Sequence, residues 1–221
     1  GIPSEINSHP HKSGKITIVH NGIIENYASI KEELIKEGFT FKSETDTEVA
    51  AALLNNLYSK TNDMLETMKL FERKVRGAYA LGIINDDDFN TLYAIKKASP
   101  LIVGIGNNEN FIASDVPAIL KYTNKYTTLN DGDMAIIKTN SINYYDINGK
   151  RIDKEIKTFE KELGDSDKHG YEHFMLKEIH EQPEVIKNTI SPFLEDGIHS
   201  LLDKMPDFSK YNKIIIVACG S

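Results

Sequence analysis

Cysteine is nearly absent from this chain, with one residue, Cys219, in 221. A single thiol excludes an internal disulfide framework and any multi-cysteine zinc site, so the fold must stand on its apolar core. Positive charge never accumulates either. No run of five basic residues occurs and the net charge is −7, so the electrostatic footprint of a nucleic-acid or anionic-membrane binder is missing. Long apolar runs are lacking as well. Ala78 to Ile84 and Ile214 to Ala218 fall far short of the roughly 18 residues that suggest a membrane span, and no signal-peptide pattern opens the chain. Neither nucleic acid nor membrane is expected as a partner, and the cytoplasm is the expected compartment. Internal repeats and low-complexity tracts are missing too.

What is present is a hydrophobic content of 40%, enough for one large domain or one domain plus a piece of another. Gly1-Ile2-Pro3 is neither an initiator methionine nor a processing signal, which leads us to expect that the domain begins upstream. At the other end, Ile214 to Ala218 breaks into Gly220-Ser221 as a buried strand enters a loop.

Between these ends the pattern alternates. Ile16 to Val19 reads as a buried strand ending in a backbone turn at Asn21-Gly22, since Asn-Gly is a strong turn signal. Ile30, Leu34 and Ile35 have helical spacing from Asn26, with Gly38 as the helix stop, and Phe39 to Lys42 alternates like a strand. Val49, Leu53, Leu54 and Leu57 fall on one helical face that Thr45 or Asp46 can cap. Another amphipathic helix is expected from Asn62 to Val75. Strands are expected over Ala78–Asn85, Thr91–Lys97, Leu101–Ile105 and Asn110–Ala113. A meander comes next through Met134–Lys138, Ile142–Asp146 and Arg151, with Asn148-Gly149 as a hairpin turn. Thr158 to Gly170 is charge-rich and reads as a linker or surface loop, so a boundary is placed near residue 165. Beyond it, a helical segment carrying Phe174, Ile179, Val185 and Ile186 is expected to be interrupted by Pro183, and a short helix near Ile198 to Met205 precedes the last strand.

Several residues invite a chemical reading. His9-Pro10-His11, with His20 and Asp46 nearby in sequence, suggests metal binding, but a proline between two histidines sets an extended kink instead of placing two ligands on one face, and a polar loop is the plainer reading. Cys219 has no basic neighbour to depress its pKa and reads as a buried structural thiol. Gly104-Ile105-Gly106 lacks the third glycine of a dinucleotide fingerprint and reads as a strand-ending turn. Asn21-Gly22 offers a side-chain amide and an unencumbered backbone N–H, the two donors of an oxyanion hole, or simply forms a turn. Asp46 is a helix cap, or the partner of an amino-acid ammonium.

Across its whole length the chain resembles the glutamine–fructose-6-phosphate aminotransferase (isomerising) family, also called glucosamine-6-phosphate synthases. The stretch from Gly1 to His11 is similar to the segment immediately after that family's Arg-Trp-Ala-Thr-His motif. His20-Asn21-Gly22-Ile23-Ile24-Glu25-Asn26 and Glu44-Thr45-Asp46-Thr47-Glu48 resemble its glutaminase domain, as do Ala98-Ser99-Pro100-Leu101, Phe111-Ile112-Ala113-Ser114-Asp115 and Gly132-Asp133. Phe174 to Pro183 resembles the connection to the sugar-isomerase half, and Ile216 to Ser221 that half's first strand and loop. These last stretches set the chain apart from sibling amidotransferases with other second domains.

The resemblance implies an α+β fold, the four-layer αββα sandwich of N-terminal-nucleophile hydrolases, over residues 1–165, a linker with helical segments over 166–211 and the start of the isomerase domain over 212–221. It implies that an N-terminal cysteine attacks the side-chain amide of L-glutamine. Gly1 cannot do so, and the family's nucleophile and its Arg, Trp, Thr and His all precede Gly1, so the chain by itself is expected to be inactive. It further implies that Asn21 and Gly22 hold the oxyanion, that Asp46 holds the glutamine ammonium and that Ser221 lies near the sugar phosphate. Ammonia would pass to fructose 6-phosphate, giving glucosamine 6-phosphate without any cofactor, in a homodimer formed through the isomerase half. The alternatives are a non-catalytic glutamine-binding or regulatory module and another class II amidotransferase.

Overall fold

Strand β3 sets the architecture because its two faces differ. In the computed structural model, which describes residues 2, 4–160, 170–195, 206–213 and 215, Tyr79, Leu81 and Ile83 on one face are fully buried, while Ala80 and Gly82 on the other are small. The first face receives helices and the second receives another sheet. The chain runs β1 (His11–Ser13), β2 (Ile16–Ile24), α1 (Tyr27–Lys36), α2 (Asp46–Thr61), α3 (Met64–Lys74), β3 (Gly77–Asn85) and β4 (Asp88–Lys97). It continues through β5 (Ile102–Ile105), β6 (Asn110–Ala113), β7 (Lys125–Thr128), β8 (Met134–Lys138), β9 (Ser141–Tyr145), β10 (Arg151–Ile152), β11 (Lys157–Thr158) and α4 (Phe174–Glu195).

The described strands form two sheets. One has seven strands in the order β1-β2-β3-β4-β8-β9-β10, and the other has four in the order β11-β7-β5-β6. All their pairings are antiparallel. Ile30 and Leu34 of α1, Val49 and Leu53 of α2, and Met68 and Phe71 of α3 pack with Ile16, Ile18 and Tyr79 of the larger sheet. The inter-sheet core is thinner, built from Ala80, Ala94, Leu101, Val103, Leu129, Ala135, Ile137 and Tyr144. Small residues there let the sheets approach closely: a Cβ on Gly82 would collide with the Ile112 side chain. The outer face of the smaller sheet packs Ile102 against Val116 and Ile119, around a 3-10 turn over Val116–Ala118.

Residues Gly1–Asp165 and Ser166–Ser221 are two separate compact units. In the second, α4 runs unbroken through Pro183, so the expected interruption does not occur. Proline removes one backbone donor, and the Leu-, Met-, Lys- and Glu-rich flanks carry the helix across it. The short helix expected at 198–205 lies outside the described residues, as does nearly all of the final strand.

Three further differences bear on the site. The turn expected at Asn21-Gly22 is instead the interior of β2, with Asn21 opposite Ala80 and Gly22 opposite Tyr79. Continuous pairing from Ile16 to Ile24 overrides the local turn preference, with Gly22 at φ +128°. Phe39 to Lys42 forms no strand. The Glu48 carboxylate takes the N–H groups of Lys42 and Ser43, while Phe39 and Phe41 pack on the helical core. Finally, the His9-Pro10-His11 stretch is no simple polar loop, because His11 begins β1 and is buried.

Candidate active site

The last residues of β2 meet the first turn of α2, and the local chemistry explains why. Thr45 is the N-cap of α2, its hydroxyl accepting the Glu48 N–H at 3.2 Å. Glu48, three residues on, reaches back with its carboxylate to the Ser43 N–H at 2.6 Å and the Ser43 hydroxyl at 2.7 Å. This is a variant of the capping box. Burial pushes the Glu48 carboxyl up, yet the donors from Lys42 and Ser43 outweigh it and hold the group below its ordinary range.

Because Thr45 caps the helix, Asp46 is released from that duty. Its Oδ2 instead accepts the Ile24 backbone N–H at 2.7 Å, and the carboxylate is half-buried. A negative charge in the first turn of a helix also meets the positive end of the helix dipole. Asp46 is therefore fixed in place, and a carboxylate so held suits the binding of an ammonium group.

Three residues back along β2, Asn21 projects from the opposite face and is exposed. Its Nδ2 donates to Ser114 Oγ at 2.6 Å. Gly22 beside it is constrained by its surroundings as well as its φ: a Cβ would strike the Ala78 carbonyl oxygen and lie 2.9 Å from Ser99 Oγ. The backbone here admits only glycine. Asn21 and Ile24 are on the order of 10 Å apart at about 3.3 Å per strand residue. An extended glutamine carries its ammonium and its side-chain amide at opposite ends, so it can reach from the Asp46 end of this segment to the Asn21 end. A cavity of about 140 Å³ opens beside Asn21 between the two sheets, lined by His9, Val19, His20, Ile112 and Ser114 among others.

A histidine network lies beneath. Thr47 Oγ1 stands 3.0 Å from His20 Nδ1 and 3.4 Å from His9 Nε2, and His11 Nε2 stands 3.2 Å from Thr45 Oγ1. His20 is buried, and its Nε2 has no hydrogen-bond partner. Desolvation, the largest influence, lowers the pKa of both His20 and His9. The Asp46 charge opposes it in each, while His9 adds to the lowering at His20 and His11 adds to it at His9. The neutral imidazoles therefore face threonine hydroxyls. Among the described residues no group of three or more His, Cys, Asp or Glu is placed to hold a metal.

The structure thus brings Asn21, Gly22 and Asp46 to one end of β2, whereas Ser221 and Cys219 lie outside the described residues. Gly104 and Ile105 end β5, and Gly106 donates to the Glu109 carbonyl in the adjoining turn. Sequence reasoning missed Ser114 and Thr47 as parts of this region. Both fall in stretches that match the resembled family, but only the pairing of sheets and the capping geometry bring them to the site.

A family model described as "Glutamine amidotransferase domain" matches residues 5–121. The chain is 48% identical over its whole length to glutamine–fructose-6-phosphate aminotransferase (isomerizing) of Caldanaerobacter subterraneus subsp. tengcongensis, 45% to that of Aquifex aeolicus and 44% to that of Thermococcus kodakarensis. It spans 37% of the length of the first two and 36% of the third. Among solved structures, the glutamine phosphoribosylpyrophosphate amidotransferase from B. subtilis superposes with a TM-score of 0.56 at 23% identity, over 65% of this chain and 32% of that one. An allosteric regulatory enzyme of purine biosynthesis gives 0.54 at 23% identity, over 63% and 30%. These likenesses show that the chain shares the fold of the matched part of each.

Proposed function

We infer the function from one premise: this chain belongs to the glutamine amidotransferase domain family. It supplies the glutamine-handling part of a longer polypeptide that releases ammonia from L-glutamine and passes it to fructose 6-phosphate, giving glucosamine 6-phosphate, the first step of amino-sugar synthesis. The observation that carries this reading is the Asp46–Ile24 hydrogen bond. It sets a fixed carboxylate one short strand segment from Asn21 and Gly22, a span that a glutamine hydrogen-bonded at both ends can bridge.

In this reading Asp46 holds the α-ammonium. A cysteine thiolate at the start of the longer polypeptide attacks the side-chain carbonyl carbon, and the carbonyl π-electrons move onto oxygen. Asn21 Nδ2–H and the Gly22 N–H stabilise that oxyanion, each worth about 3 to 4 kcal/mol by analogy with a single donor in other enzymes. Collapse of the tetrahedral species breaks the C–N bond, the nitrogen leaving as ammonia with a proton from the α-amino group of the cysteine. Water then hydrolyses the thioester to glutamate. This chemistry uses thiol, amine and amide groups and calls for neither metal nor organic cofactor.

The sugar phosphate, with Ser221 near it, would be handled by the isomerase half, through which the full-length protein forms a homodimer. The test is to assay the full-length polypeptide for glutamate and glucosamine 6-phosphate formation. Appearance of both supports the reading. Binding of glutamine without hydrolysis would point to a regulatory module, and hydrolysis without amino-sugar formation to another class II amidotransferase.

A further inference from the structure

The Asn21 side chain does not sit freely in the cleft. It belongs to β2 of the seven-stranded sheet, while Ser114 directly succeeds β6 of the four-stranded sheet, so their 2.6 Å hydrogen bond joins the two sheets at the mouth of the inter-sheet cavity. Ser114 is itself held from both sides. Ala113 before it pairs with Ile102 in β5. Asp115 after it caps the 3-10 turn, its Oδ1 accepting the Val116 N–H at 2.7 Å. The hydroxyl is therefore a fixed point.

We propose that Ser114 is a positioning residue for the amidotransfer reaction, holding the Asn21 carboxamide so that its second N–H is aimed at the developing oxyanion. The proposal rests on the reading of Asn21 given above. The terminal torsion of an asparagine is broad and nearly two-fold, so an untethered carboxamide samples orientations that turn its N–H away or present its carbonyl to the negative charge. One N–H engaged by Ser114 Oγ fixes the amide plane and leaves the other N–H for the substrate. A donor already oriented needs no reorganisation as charge develops. Ser114 itself takes no part in bond making or breaking.

The test is a double-mutant cycle in the full-length polypeptide, reading kcat and KM for glutamine hydrolysis. Ser114→Ala is expected to lower kcat about tenfold with KM little changed, the size of one ordinary hydrogen bond. Ser114→Thr, which keeps the hydroxyl, is expected to recover most of that loss. The pair Asn21→Ala/Ser114→Ala is expected to be no slower than Asn21→Ala alone, because Ser114 acts only through Asn21. A packing role ranks the variants oppositely, since Thr adds a methyl group at a half-buried position and Ala does not. Ala outperforming Thr would overturn the proposal, as would a Ser114→Ala effect that persists in full on the Asn21→Ala background. If Asn21→Ala itself hydrolysed glutamine normally, the oxyanion reading would fall and this proposal with it.

Discussion

Asp46 Oδ2 accepts the Ile24 backbone N–H at 2.7 Å, tying the first turn of α2 to the last residue of β2. Because Thr45 does the capping, this carboxylate has a single hydrogen bond among the described residues, and an asparagine carbonyl oxygen can accept it equally. Asp46→Asn in the full-length polypeptide is therefore expected to fold normally while losing the charge proposed to pair with the glutamine ammonium. Its KM for glutamine is expected to rise about 10- to 100-fold, the range of a charge-assisted hydrogen bond. Steady-state kinetics check this, and an unchanged KM would remove Asp46 from the substrate site.

Gly22 makes a structural claim independent of catalysis. With φ at +128° and the Ala78 carbonyl in the space a Cβ needs, Gly22→Ala is expected to destabilise the chain by about 2 to 4 kcal/mol. Chemical denaturation of this chain, without any added segment, measures it. A loss below about 0.5 kcal/mol would mean that the strand relaxes readily at this point.

The buried histidines give stability a pH dependence whose sign comes from linkage. His20 and His9 have folded pKa values below the ordinary value of about 6.5, so the unfolded chain binds their protons first as pH falls. Their contribution is fully present above pH of about 6.5 and is lost as pH drops through the folded pKa values. The groups that face them are Asp46 and each other, with His11 against His9. The melting temperature is expected to fall between about pH 7 and 5, and His20→Gln is expected to flatten that slope. A slope unaltered in His20→Gln would place the proton uptake elsewhere.

Much of the fold was legible in the sequence, and the exceptions share a cause. Helices α1 to α3 can be read from apolar periodicity because each buries one face against the core, and strands β3, β4 and β8 can be read from short apolar runs because residues on both of their faces are buried. Asn21-Gly22 reads as a turn because local preference favours one, but nine residues of β2 pair with β3, and that long-range ladder outweighs a two-residue signal. Phe39 to Lys42 reverses the case: alternation suggests a strand, yet the Lys42 N–H, with that of Ser43 after it, goes to Glu48 instead. Polar β7, with the sequence Lys125 to Thr128, carries no strand pattern and is held by its place between β5 and β11. At the candidate site, the family resemblance singles out Asn21, Gly22 and Asp46, which the structure brings to one end of β2. The links from Asp46 to Ile24, from Asn21 to Ser114 and from His20 to the Thr47 hydroxyl were not legible in the sequence, since they depend on which backbone and side-chain atoms the two sheets and α2 bring together.

The central claim is that Asn21 is an oxyanion donor, and Asn21→Asp separates this role from a structural one. Aspartate has nearly the shape of asparagine and can accept a hydrogen bond from the Ser114 hydroxyl, so the link between the sheets is kept and the melting temperature is expected to change little. On the oxyanion claim, the substitution nevertheless puts a carboxylate where an N–H donor would face developing negative charge. Glutamine hydrolysis and thermal stability should be measured on this one variant of the full-length polypeptide, with ammonia-driven synthesis as a control for the sugar-phosphate half. The kcat for hydrolysis is expected to fall by about two orders of magnitude or more, with ammonia-driven synthesis retained. Near-normal hydrolysis in a stably folded Asn21→Asp protein would contradict the claim.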